Sequence, residues 1–465
     1  MQPAARGCYG EVRKTRTEDG SVGDAAAQAW VAEKRTLGPH GEEPQAGDRD
    51  RLERGARERR EGADTQAVPK VIPIAIGLVQ EEGVTVAVDV AFSFGIPVTR
   101  ARGRPVRYAV VGLGHIAQVA ILPAFEHARR NSRLVALVSN DATKLKTLAR
   151  KYDIERTYRY DDFDACLPEV DAVYIALPNS MHAEYTIRAA RAGVHVLCEK
   201  PMAVTAGECE AMIAACRSNR VKLMIAYRLH FEGVNLKAVD LVRQGRIGTP
   251  KFFNSSFALT VKPDNIRTKK ELGGGTLYDI GVYCINAARY LFRAEPQEVM
   301  AISVNGGNRT LREIDESTGA LLRFDGDRVA AFVTSFNAAD VASYRIVGTK
   351  GQLHVDPAYE YAEGLAYTLT INGKTTRAKT GKHDQFAPEL LYFSDCIQQD
   401  REPEPSGEEG LQDVRIIEAL YQSAARGKAI SIPPIEMPRR PSGRQRIIKP
   451  PVNKPEPVKA RSASK

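Results

Sequence analysis

The stretch Val106-Arg107-Tyr108-Ala109-Val110-Val111-Gly112-Leu113-Gly114-His115-Ile116-Ala117 constrains the fold more than any other part of the chain. A short apolar run leads into a glycine turn and then into a helical pattern, which predicts a buried strand feeding a helix. The spacing is Gly-x-Gly-x-x-Ala. Gly112 and Gly114 can turn tightly and let a pyrophosphate come close. The helix that follows, entered through His115 and Ile116, aims its free N–H groups and positive dipole end at that anion.

The surrounding pattern supports this reading. Apolar runs predict strands at 108–112, 133–138, 172–177, 194–198 and 223–227, and helical patterns fall between them. That alternation predicts an α/β domain over residues 105–227, a doubly wound Rossmann parallel sheet. After Tyr227 the pattern changes to hairpins, with turn signals at Asp325-Gly326-Asp327 and Asn372-Gly373. Residues 228–432 are expected to form an α+β domain with a large open, mainly antiparallel sheet. Its uncovered face should serve as a subunit interface, giving a homodimer or homotetramer.

Both ends differ from this body. Residues 1–104 contain a run of acids and arginines between Glu33 and Glu61 with almost no apolar side chains, which predicts disorder. This segment is either an extension or a product of too early a start, with the folded protein beginning near Arg104. It also holds the only tryptophan, Trp30. Residues 433–465 form a basic, Pro-rich tail that should be extended or disordered. From Pro438 onward there are nine Lys or Arg and one acid, so +8 of the net charge of +9 lies there and the rest of the chain carries +1. A nucleic-acid face on the folded part is therefore not expected. No apolar run reaches the ~20 residues of a membrane span, and no signal peptide is recognisable. The seven cysteines are scattered, without a Cys-x-x-Cys pair. Neither a metal site nor a disulfide framework is expected, and a reducing cytoplasm fits.

Three further features carry chemistry. The second strand ends at Ser139, with Asp141 and Lys144 following. A hydroxyl and a cation suit a 2′-phosphate, which favours NADP over NAD; Asp141 could instead hold a ribose diol. Cys198-Glu199-Lys200-Pro201 directly follows an apolar strand, so Lys200 belongs at the mouth of the sheet, where a cis Lys–Pro bond is possible. In Gly273-Gly274-Gly275-Thr276-Leu277-Tyr278-Asp279-Ile280-Gly281-Val282-Tyr283 the glycines allow a backbone approach to ligand. Asp279 and Tyr283, four apart, share a helical face, and an acid with a phenol suits a proton relay. Each residue alone has an ordinary structural reading, as a solvated lysine, a helix-start acid or a core tyrosine.

Together these motifs resemble the Gfo/Idh/MocA oxidoreductase family, and most of all its glucose–fructose oxidoreductase branch. The resemblance runs from about Arg104 to Ile432 and includes Ser406-Gly407-Glu408-Glu409-Gly410 and Asp413-Val414-Arg415. Many family members carry His where this chain has Tyr283. The resemblance implies hydride transfer between a sugar or polyol hydroxyl carbon and nicotinamide, with Tyr283 as general base assisted by Lys200 and Asp279. It strengthens NADP over NAD. It further implies that Pro178, Asn179, His182, Glu199, Lys200 and Arg228 lie at the cofactor; because the strand before Arg228 leads into the second domain, Arg228 is also expected to line the substrate side. The competing expectation is a non-catalytic NADP(H)-binding sensor or partner protein of the same fold. Residues 260–272 are expected to be a pocket loop.

Overall fold

The structure, a computed structural model, describes residues 103–464 apart from 434, 436 and 438. The expectations for residues 1–102 lie outside the described residues.

The first sheet holds β1 (Val106–Val111), β2 (Ser132–Val138), β3 (Arg156–Tyr158), β4 (Ala172–Ile175), β5 (His195–Glu199) and β6 (Leu223–Ala226). All neighbours are parallel and the order is β3-β2-β1-β4-β5-β6. This is the doubly wound arrangement expected. The edge strand β3 was not expected; it has three residues, none of them buried, so no apolar run marks it. The order reverses between β1 and β4, which opens a crevice at the carboxyl end of β1 where Gly112 sits. After β1 the chain passes through a π-helical turn, Ala117–Ile121, into α1 (Leu122–His127). After β2 it enters α2 (Ala142–Tyr152), capped by Asp141, whose carboxylate accepts from the backbone N–H of Thr143 and Lys144.

The second sheet holds β7 (Pro250–Ala258), β8 (Glu298–Val304), β9 (Ser317–Phe324), β10 (Arg328–Ser335), β11 (Val341–Gly348), β12 (Gly351–Val355), β13 (Ala366–Ile371), β14 (Lys374–Lys379) and β15 (Ile430–Ser431). Its order is β14-β13-β12-β11-β7-β10-β9-β8-β15. Every pair is antiparallel except β7 with β10, so the sheet is mixed but mainly antiparallel. Both expected tight turns use left-handed backbone, at Gly326–Asp327 and Asn372–Gly373. One face packs on helices Val282–Phe292 and Gly407–Arg426. The other presents Phe252, Met300, Ile302, Leu321, Val329 and Val333 to solvent, each at least 42% exposed. Met300 pairs with Leu321, and Phe252 with Val329, so these side chains form one continuous apolar patch across β8, β9, β10 and β7.

Behind the sheet lies a buried ion cluster. Arg289 is fully buried and donates to Glu295 at 2.7 Å, Glu409 at 3.0 Å and Asp413 at 2.6 Å. Tyr227 and Asn286 also donate to Asp413. The Glu409 and Asp413 of the sequence motif are thus structural: they fasten helix Gly407–Arg426 to helix Val282–Phe292.

The tail beyond Ile432 is extended, and it is packed rather than loose. Gln445 is buried and donates to the Glu404 carbonyl. The Asp384 N–H donates to the Lys449 carbonyl at 3.2 Å. Basic, Pro-rich composition hides this order, because the tail is held by polar contacts to the body and not by an apolar pattern of its own. Among the described residues, six cysteines are free and buried, and no helix is long and apolar enough to cross a membrane.

Candidate active site

The glycine turn has the shape a dinucleotide requires. Gly112 has φ +94°, and a Cβ there would collide with the Ala176 carbonyl of the neighbouring strand's end. A Cβ on Gly114 would meet open space. The first internal bond of the helix runs from Gln118 N–H to Gly114 O at 3.2 Å. The N–H groups of Gly114, His115 and Ile116 lie ahead of it and point out of the helix end. Burial lowers the His115 pKa, and so do the nearby cations Arg267, Lys454 and Lys262. Uncharged imidazole, open N–H groups and three cations make this a site for an anion.

At the end of β2 the Ser139 hydroxyl oxygen accepts the Asp141 N–H at 3.2 Å. Lys144 stands one turn into α2. Both flank the place of an adenosine ribose in such a sheet.

The proposed chemistry converges from both domains. The Lys200–Pro201 peptide is cis. Lys200 Nζ donates to the Asp279 carbonyl at 2.8 Å, lies 3.7 Å from its carboxylate and sits 4.6 Å from the centroid of the Tyr283 ring. Asp279 lies in a π-helical turn, Leu277–Gly281, immediately before the helix that carries Tyr283. Burial raises the Asp279 pKa, but Arg267 and Lys200 outweigh it and hold the carboxyl below its usual range. Asp279 is thus an ionised anchor between two cations, not a proton donor.

Two arginines complete the cluster. Arg228 Nη2 is 3.3 Å from the Tyr283 hydroxyl, and its guanidinium lies over that ring at 5.2 Å. It is held by Gln385 and by the Tyr359 carbonyl. Arg267 Nε donates to Asp279 at 2.6 Å. Sequence reasoning missed Arg267, although it lies in the expected loop 260–272. Nothing local marks it; only the fold of the loop onto Asp279 does.

Other expected residues have different tasks. His182 is fully buried, with Nδ1 3.0 Å from the Pro201 carbonyl and Nε2 3.0 Å from the Leu177 carbonyl. It was expected at the cofactor; in this structure its ring braces the turn that aims Lys200. Asn179 donates to the Gly273 carbonyl at 2.8 Å, and Pro178 accepts from Met181 N–H. Glu199 accepts the Tyr174 hydroxyl at 2.9 Å, and burial pushes its pKa up. The triple glycine is also reassigned. A Cβ on Gly274 would collide with the Arg267 carbonyl, and one on Gly275 with the Tyr421 hydroxyl. At these two positions the glycines make room for the protein's own chain. Glu389 was not expected. It is fully buried, neither carboxyl oxygen has a hydrogen-bond partner among the described residues, and burial next to Glu199 pushes its pKa far up.

Comparison with known proteins agrees with this fold. Residues 106–227 match the model of the Gfo/Idh/MocA oxidoreductase family, NAD-binding Rossmann fold, and residues 235–354 match a Gfo/Idh/MocA C-terminal domain. A D-xylose 1-dehydrogenase [NADP(+)] from Haloarcula marismortui is 33% identical over 334 residues, 70% of this chain and 92% of the relative. A solved aldose-aldose oxidoreductase from Caulobacter crescentus, complexed with glycerol, is 39% identical with a TM-score of 0.68, covering 71% of this chain and all of the other. A 3-ketoreductase from Actinomadura kijaniata, solved with NADP and TDP-benzene, is 28% identical with a TM-score of 0.64, over 69% and 98% of the two chains. The chain belongs to the Gfo/Idh/MocA oxidoreductase family.

Proposed function

We propose that the protein is an NADP-dependent oxidoreductase that oxidises a hydroxyl-bearing carbon of a sugar or polyol, or reduces the matching carbonyl. The observation that carries this is the convergence of Lys200, Asp279, Tyr283 and Arg228 at the carboxyl end of the parallel sheet. Bound nicotinamide supplies the hydride acceptor. Tyr283 takes the hydroxyl proton as the hydride leaves, and returns it to the carbonyl oxygen in the reverse direction. A free phenol, with a pKa of about 10, is mostly protonated at neutral pH. The Arg228 guanidinium stands 3.3 Å from its oxygen and the Lys200 ammonium 4.6 Å from its ring centroid, a cationic setting that suits a proton acceptor. Asp279, itself held by Arg267, keeps Lys200 in place. The names of the xylose and aldose relatives support a sugar substrate, and the positive surroundings of Gly114 and Ser139 support NADP over NAD. Free buried cysteines fit work in a reducing cytoplasm.

The test is reduction of NADP+ by the full chain against a panel of aldoses and cyclic polyols. NADPH formation with at least one sugar is expected. NADPH binding without turnover on any of them would make the protein a sensor or partner subunit instead.

The apolar face of the second sheet serves as the subunit interface. Ile302→Lys with Val333→Lys places charges within the patch, where a partner must exclude water. Gel filtration of the double variant should show monomers, where the native chain elutes as a dimer or tetramer. A native monomer would overturn this reading.

A further inference from the structure

The C-terminal tail does more than cover the body. It runs along the Rossmann domain, crosses to the other domain, and makes specific contacts on both sides. Lys454 lies over the Tyr361 ring at 5.5 Å. Val458 exchanges two hydrogen bonds with the Gln118 side chain, at 2.7 and 3.0 Å, and Gln118 also donates to the Leu113 carbonyl of the glycine turn. Lys459, held at φ +46°, donates from Nζ to the Thr143 hydroxyl at 3.0 Å and lies 3.7 Å from the Asp141 carboxylate. Five residues later the tail pairs with the loop after β7: Lys262 N–H donates to the Ala463 carbonyl at 2.8 Å, and Ser464 bridges Val261.

This placement matters because of Asp141. A carboxylate at the end of β2 ordinarily repels a 2′-phosphate and holds a ribose diol. Here the same carboxylate is committed to the N–H groups of Thr143 and Lys144, and Lys459 offsets its charge. The surroundings of the ribose then hold the Ser139 hydroxyl, the Thr143 hydroxyl, Lys144 and Lys459, which together favour a phosphate dianion.

We propose that Lys459, delivered by the C-terminal tail, is a specificity-determining residue that recognises the 2′-phosphate of NADP(H) at the end of β2. The proposal rests on the reading of the groove as a dinucleotide site. Residues 458–464 touch the nucleotide-binding lobe at Gln118, Thr143 and Asp141 and the second domain at Val261 and Lys262.

The experiment is titration of NADPH and NADH fluorescence with the full chain, with Lys459→Ala, and with a chain ending at Pro457. Lys459→Ala should weaken NADPH about tenfold, the effect of one charge-assisted contact, and leave NADH within about twofold. The shortened chain should lose at least as much NADPH affinity. Thermal unfolding of each variant shows whether the body is intact. An unchanged NADPH-to-NADH ratio in Lys459→Ala would overturn the proposal. Tighter NADPH binding by the shortened chain would also overturn it, by making the tail an obstruction. If the native chain binds neither nucleotide, the dinucleotide reading itself fails, a result distinct from both.

Discussion

Replacing Tyr283 by Phe should lower kcat by about 10²- to 10⁴-fold, the usual contribution of a positioned acid–base group. KM and NADPH affinity should change little. The ring itself is held by packing: Phe257 and Tyr359 lie at centroid distances of 5.6 and 5.7 Å, and the Lys200 ammonium lies over it. All of those contacts survive in Phe. Only the oxygen is lost, together with its 3.3 Å approach to Arg228. The variant therefore isolates proton transfer from folding. Steady-state rates on the best sugar of the panel, alongside thermal unfolding, make the measurement. A turnover equal to the native one would remove Tyr283 from the chemistry.

Arg289→Met should be the most damaging single change to the fold. Removing one partner of a buried ion cluster typically costs about 3–5 kcal/mol, because the remaining charges stay buried without compensation. Here Glu409 and Asp413 would face one another with only Tyr227 and Asn286 as donors. The loss should depend on pH. Burial, with Glu409 beside it, raises the Asp413 pKa to about 6 even though Arg289 draws it down. An unfolded Asp titrates near 3.9, so between about pH 4 and 6 the folded state holds a proton that the unfolded chain has released. The contribution of this group is most favourable at low pH and falls as pH rises through about 6. Without Arg289 the folded pKa rises further. The variant's deficit in denaturant unfolding should then be smaller near pH 5 than near pH 7.5. An equal deficit at both would show that the cluster is not held by charge.

Much of this was legible in the chain because the relevant signals are local. Buried parallel strands leave continuous apolar runs, and β1, β2, β4, β5 and β6 were each visible in that way. Lys200 could be placed because it follows such a strand at once, and Asp279 with Tyr283 because four residues of helix bring them together. The rest depends on long-range folding. Arg228 and Arg267 reach Tyr283 and Asp279 only through loop geometry. His182 was placed at the cofactor by resemblance, and its burial under the Lys200–Pro201 turn has no local signal. The glycines at 273–275 resemble a ligand cradle in sequence, and only the neighbouring carbonyl of Arg267 and hydroxyl of Tyr421 reveal what they make room for. The tail has the composition of a disordered segment, while its anchors, Gln118, Asp141 and Lys262, lie more than a hundred residues away.

The Lys200–Asp279 contact spans the two lobes. Lys200 belongs to the nucleotide-binding lobe and Asp279 to the other, and the ammonium is held by a carbonyl and a carboxylate of its opposite lobe. The pair is therefore a latch as well as a piece of chemistry. In the proposed reaction the acid–base groups meet only while this contact holds, so parting the two lobes would separate Lys200 from Asp279 before any strand is lost.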